Sequence, residues 1–114
     1  MSTKKTAPTG ANRPATAMEG MMTGKYVLVT TEHRGVFVGE LAEDNTAERI
    51  AVLDDARNVI YWSGSRGFIG LAVTGPDRGS RLGDTAPRIR LHGVTSVVEC
   101  ADAAEAALRG WPLG

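Results

Sequence analysis

The residues best suited to chemistry gather in one stretch, NVIYWSGSRGFIGLAVTGP, residues 58–76. It holds three of the chain's six aromatic residues, Tyr61, Trp62 and Phe68, with four glycines and Arg66. Tyr61 and Trp62 are neighbours on an expected strand, so one ring points inward and the other outward. An outward ring beside Arg57 and Arg66 can stack a nucleobase, as in proteins that bind single-stranded nucleic acid. Ser65, Arg66 and Gly67 stand where a helix is expected to begin, and free amides there suit an anion. The spacing matches neither G-x-x-x-x-G-K-[ST] nor G-x-G-x-x-G, so the glycines equally serve close packing of a helix. The outward ring equally serves as a subunit anchor, a role in which Trp, Tyr and Arg are enriched. The ligand-binding candidates are therefore Arg57, Tyr61, Trp62, Ser65, Arg66 and Gly67.

Catalytic and metal chemistry find less support. His33 and His92 both stand in turn-like settings, and nothing local marks either as the base for Cys100. A cysteine ending an apolar strand reads as a small buried hydrophobe. There is no Cys-x-x-Cys and no His-x-x-x-His, so no metal site is expected. Asp54 and Asp55 are adjacent and point to opposite strand faces, which suits a turn better than a carboxylate pair. No enzyme activity, cofactor or metal is expected.

These residues must be positioned by short strands. KYVLVTT (25–31) is β-branched and apolar and ends at the polar EHRG. GVFVGELAE (35–43) resumes the pattern, with a turn expected around Glu43, Asp44 and Asn45. ERIAVLDD (48–55) reads as a third strand, residues 55–58 as a second turn, and VIYW (59–62) as a fourth strand. RGFIGLAVT suggests a short helix capped by Ser63 or Ser65 and stopped by Gly75 and Pro76. DRGSRLGDTAP (77–87) reads as a loop, and RIRLHGVTSVVEC (88–100) as a long strand broken or bulged at His92–Gly93. DAAEAALRG (102–110) reads as a terminal helix, with Asp102 as N-cap, Glu105 completing a capping-box pattern and Gly110 ending it.

The expected fold class is mainly β with α: a small SH3-like or Sm-like antiparallel barrel with one inserted helix and a C-terminal helix. Residues 1–24, rich in Thr, Ala, Pro and Gly, read as a flexible N-terminal arm ahead of a single domain spanning 25–114. A chain of 114 residues can bury one core without disulfides, and its one cysteine, Cys100, has no internal partner. The formal net charge is zero, against a broad basic surface. The charge is nonetheless divided. Residues 32–55 carry seven acids against Arg34 and Arg49, and residues 57–90 carry six arginines against Asp77 and Asp84. Opposite patches suit self-association, an anion site beside an acidic rim, or plain solvated surface. The N-terminus has lysines but no apolar core of a secretory signal, and no apolar run approaches the roughly 20 residues of a membrane span.

Two resemblances add to these readings. GVFVGEL followed by an acid in the turn and I-x-V-L is similar to the first Sm motif, and IRLHGVTSV is a weak counterpart of the second, without its Arg-Gly-Asn form. More of the chain, GKYVLVTTEHRGVFVGEL, LDDARNVIYWSGSRGFIGLAVTGP and APRIRLHGVTSVVEC, resembles a family of small phage and prophage proteins of unknown function. That likeness covers about residues 25–100 and departs at Ile60, where an aromatic is common, and in the glycine-rich helix. It implies a β-rich fold in a bacterial host cytoplasm or a virion, and it brings no catalytic residues.

The expected function is accordingly a homo-oligomeric accessory protein binding an anionic ligand, a nucleotide or nucleic acid. The alternatives are a structural virion protein tethered by its arm, and an inhibitor of a host protein that imitates an anionic partner. No membrane partner is expected.

Overall fold

The computed structural model describes residues 22–62 and 67–112. The arm as far as residue 21, both candidate serine caps, and the site candidates Ser65 and Arg66 lie outside the described residues. In chain order the described elements are β1 (Tyr26–Thr31), β2 (Gly35–Asn45), β3 (Ile50–Tyr61), α1 (Gly67–Thr74), β4 (Arg81–His92), β5 (Val94–Glu99) and α2 (Asp102–Arg109). A tight three-residue turn, Glu32–Arg34, joins β1 to β2.

All strand pairs are antiparallel, in the order β4-β3-β2-β1-β5. β4 and β5 are thus the two outer strands, yet only Gly93 separates them in the chain. A flat sheet would hold such edges about 19 Å apart, four strand spacings. One residue cannot span that, so the sheet must roll up until its outer strands meet at Gly93, whose φ of 67° makes the corner. A small barrel follows from this connection alone.

β2 and β3 approach closely at Gly39, beside one of the irregularities in the sheet. Glu40 pairs with Asp54 and Val38 with Arg57, so two steps along β2 match three along β3. The surplus residue is a bulge, and Asp55 at φ 50° marks it. The turn expected over residues 55–58 is therefore a bend within one continuous strand. Acidic and polar residues there resemble a turn locally, but β2 runs unbroken opposite them and keeps both halves in one ladder. Gly39 permits the bend: a Cβ on it would lie 3.0 Å from the Asp54 carbonyl oxygen and 3.1 Å from the Ala56 Cα.

Three other expectations shift. The β2–β3 turn falls at residues 46–49, one step beyond Glu43–Asn45. The loop expected over 77–87 yields to β4 from Arg81 onward, because β3 offers it a ladder: Val59 faces Leu82 and Arg57 faces Thr85. Pro87 is tolerated there because β4 is an edge strand. The long strand over 88–100 keeps its expected break, dividing at Gly93 into β4 and β5. At α2 the N-cap is Ala101, whose carbonyl accepts from Glu105 N at 2.9 Å, and Asp102 occupies the first turn. Its charge still favours the positive end of the helix.

β1 is buried on both faces, and that defines the layers. Val27 and Val29 join Leu41, Ala51, Leu53, Ala56 and Leu91 inside the barrel. Tyr26 and Leu28 face the other way, against Val38, Val59, Leu82 and the helices through Leu71, Ala72, Ala104 and Leu108. The helices therefore cover the outer face of the sheet, and α1 is tied to the end of β5 where Ala101 N donates to Ala72 O at 2.8 Å.

Candidate functional site

The structure separates the sequence-derived candidates. Tyr61 ends β3 with its ring outward, 54% exposed, opposite Arg81 in the β3–β4 register. Trp62 is half-buried and packs on the core under the helices, together with Phe68. One ring outward and one inward is the arrangement expected from strand alternation. Gly67 begins α1 at φ 69° with open space around its Cα. The hollow between Trp62 and α1 measures about 10 Å³ among the described residues, room for about one water.

Arg57 is turned the other way from a surface site. It is 5% exposed. Its Nε donates to the Gly83 carbonyl at 2.8 Å, and its Nη1 donates to Leu108 O at 2.9 Å and Trp111 O at 2.7 Å. The guanidinium thus satisfies carbonyls at the C-terminus of α2, where the helix dipole is negative. Its three donor contacts fasten the terminal helix to β3 and β4, and they leave it no open face for a ligand.

A richer constellation lies where the barrel closes. The tight turn 32–34, the turn 46–49 and the corner at Gly93 converge there. Glu32 N donates to Gly93 O at 2.9 Å, Val94 N to Arg49 O at 3.0 Å, and Arg49 Nη2 to Glu32 Oε2 at 2.6 Å. Among the described residues four non-glycine residues have positive φ, and three are here: His33 at 65°, Arg34 at 69° and Arg49 at 58°. Such backbone costs of order 1 kcal/mol or more per residue and persists only where surrounding contacts enforce it, a pattern that clusters at functional sites. Both histidines, His33 and His92, are exposed at this end, as are Arg34 and Arg90.

Beside these turns opens a cavity of about 280 Å³. Ile50, Val94 and Val97 supply apolar lining, while Asn45, Arg49 and Ser96 supply hydrogen-bonding groups. An apolar surface with a few convergent polar groups is the usual make-up of a small-ligand site. Arg49 is the cation of that lining and is paired with Glu32, while His33, Arg34, Arg90 and His92 lie outside the lining. Sequence reading passed over this end because its residues come from three separate connections. EHRG signalled a break in the strand, but not that His33 and Arg34 would adopt left-handed backbone.

Elsewhere the opposite charges meet within the chain. Asp54 and Arg88 face each other across β3 and β4, with Nε 2.6 Å from Oδ1. That hydrogen bond holds the Asp54 carboxyl below the usual carboxylate range. Part of the arginine-rich segment thus neutralises part of the acidic one inside a single protomer. Among the described residues no three His, Cys, Asp or Glu side chains gather as a metal site, and no helix is long and apolar enough to cross a membrane.

Cys100 is buried, and burial, with Glu105 and Glu99 adding to it, pushes its thiol up to about 12. At neutral pH it is protonated and poorly nucleophilic. Ellman's reagent is expected to label the folded chain about 100-fold more slowly than the urea-unfolded chain, since access requires opening. Equal rates would show the thiol to be exposed.

A rolled five-stranded antiparallel sheet with two covering helices and a polar closure end places the chain among small barrels of Sm-like fold. The chain belongs to the family described as Domain of unknown function (DUF6948), whose model matches residues 24–108. Among solved structures it is similar to a heptameric archaeal Sm protein, with a TM-score of 0.52 and 17% sequence identity over 75% of this chain and 100% of that one. At that identity the likeness concerns the fold. No curated protein sequence matches the chain.

Proposed function

We propose that this chain is a non-enzymatic, self-associating barrel that binds an anionic ligand of the nucleotide class, free or within single-stranded nucleic acid. The observation that carries the self-association is the pair of outer strands. Among the described residues, β4 pairs only with β3, and β5 only with β1. Each therefore has one edge of backbone N–H and C=O groups without a strand partner. Such edges are templates for pairing with another chain. One protein carrying both can join head to tail, and a head-to-tail contact closes into a ring when the rotation allows. A heptameric protein of similar fold supports this direction.

The ligand is assigned to the closure end. Arg34 and Arg90 offer positive charge and His33 and His92 offer ring N–H groups to phosphate, and the cavity beside these turns offers apolar lining and hydrogen-bonding side chains to a base or sugar. The resemblance to small phage and prophage proteins suggests the setting of an accessory protein.

Two measurements test the two parts. Native mass spectrometry is expected to find a closed oligomer, and a monomer at micromolar concentration would defeat the assembly. Fluorescence anisotropy with a labelled oligonucleotide at low salt is expected to show binding that weakens with salt, and to lose at least about tenfold in affinity in the double variant Arg34→Glu, Arg90→Glu. No binding at low salt would defeat the ligand assignment.

A further inference from the structure

Four large hydrophobic residues are exposed among the described residues: Ile60 at 50%, Tyr61 at 54%, Ile69 at 51% and Val73 at 48%. They occupy two places in the fold. Ile60 and Tyr61 end β3 beside the start of β4, since Ile60 sits over Gly83 and Tyr61 pairs with Arg81. Ile69 and Val73 are four residues apart on α1, hence on one helix face. That helix, GFIGLAVT, has no charged residue, and a helix apolar on all sides belongs in an interior. It is fastened beside the end of β5 through the Ala101 to Ala72 hydrogen bond.

One apolar group therefore adjoins the beginning of one outer strand, and the other adjoins the end of the opposite outer strand. Antiparallel pairing of β4 with the β5 of a second copy sets the start of the first strand against the end of the second. That arrangement brings Ile60 and Tyr61 of one protomer to Ile69 and Val73 of its neighbour. Parallel pairing would leave them at opposite ends. We infer that the outer face of α1 and the Ile60–Tyr61 end of β3 are the two halves of one subunit interface, filled by a second copy of this chain. This rests on the edge-paired assembly proposed above and adds to it a polarity and a hydrophobic anchor. It also gives Tyr61 to the interface rather than to a ligand.

The exposure of Ile60 and Ile69 lets polar replacements be made without disturbing the core. Ile60→Asp and Ile69→Asp are each expected to lower the oligomer's stability, seen by native mass spectrometry as dissociation at concentrations at least about tenfold higher than for the parent chain. Circular dichroism is expected to remain that of the folded barrel. A chain carrying both Ile60→Cys and Ile69→Cys is expected to form disulfide-linked multimers under mild oxidation, while either substitution alone forms none larger than a dimer. A monomeric parent chain would defeat the assembly itself. An oligomeric parent whose aspartate variants dissociate no more readily, or a double-cysteine chain that links only within one protomer, would overturn the interface while leaving edge pairing in place.

Discussion

Replacing Arg57 by alanine is expected to detach the C-terminal helix from the barrel and cost about 4 kcal/mol of stability. The estimate follows from three acceptors that lose the guanidinium together, the carbonyls of Gly83, Leu108 and Trp111, of which Leu108 O keeps only the longer bond from Trp111 N at 3.4 Å. A hydrogen bond from a charged group contributes about 1.5–3 kcal/mol, and a buried acceptor left without a donor adds its own desolvation cost. The contributions are not additive, because all three carbonyls are released at once and water reaches them as α2 lifts. Lysine is expected to recover only part of the loss, since one ammonium on a flexible stem cannot reproduce the guanidinium fork. Urea unfolding monitored by far-ultraviolet circular dichroism measures the loss. Tryptophan emission provides an independent check. Trp111 packs on the core, and its indole nitrogen donates to Ser80 O at 3.0 Å, so emission should shift to the red in Arg57→Ala before global unfolding. A variant with parental stability would show that the clamp contributes nothing and would reopen Arg57 as a surface residue.

Gly39→Val is the second large expected effect, about 3 kcal/mol as for overpacking of a tight interior. Here the obstacle is backbone. The added Cβ would meet the Asp54 carbonyl oxygen at 3.0 Å, the Ala56 Cα at 3.1 Å and the Leu53 Cβ at 3.1 Å, before the valine methyl groups are considered. No rotamer change relieves a clash with main chain. β2 and β3 must separate at the bulge. Strain there opposes the meeting of β4 and β5 at Gly93, so closure and stability should fall together. For a domain of this size the midpoint of thermal unfolding should drop by roughly 15 °C. Gly83→Ala is a suitable control, because its Cβ would make only ordinary contact with Ile60. If both variants melt alike, the close approach at Gly39 does not limit the fold.

Both predictions concern residues that the sequence presents in another light. Arg57 lies in an arginine-rich segment beside two aromatic residues, and its type and company suit a ligand. What turns it inward is a helix some fifty positions later whose C-terminal carbonyls need a donor. Gly39 is visible as a glycine in a strand, a sign of close backbone approach or a bulge. The residues it approaches lie on β3, at a bend that reads locally as a turn. Asp54, Asp55 and Asn58 are turn formers by propensity, and strand pairing on both sides, resumed beyond the bulge, overrides that preference.

Local pattern by itself determined the strand-rich class, the starts of β1 and β2, the position of α1 and the existence of α2. Each depends on a period or a stop signal within a few residues, and such signals act before any long-range contact forms. The alternation of Tyr61 and Trp62 was legible for the same reason: successive side chains on a strand must diverge. Tertiary structure alone decided that β4 and β5 become opposite edges of one rolled sheet, that β1 is buried on both faces, and that three connections meet to set His33, Arg34, Arg49 and His92 at one end. These outcomes depend on which strand pairs with which and on where the sheet bends. Non-local pairing and the closure of a curved sheet are properties of the whole chain, and no short window of residues encodes them.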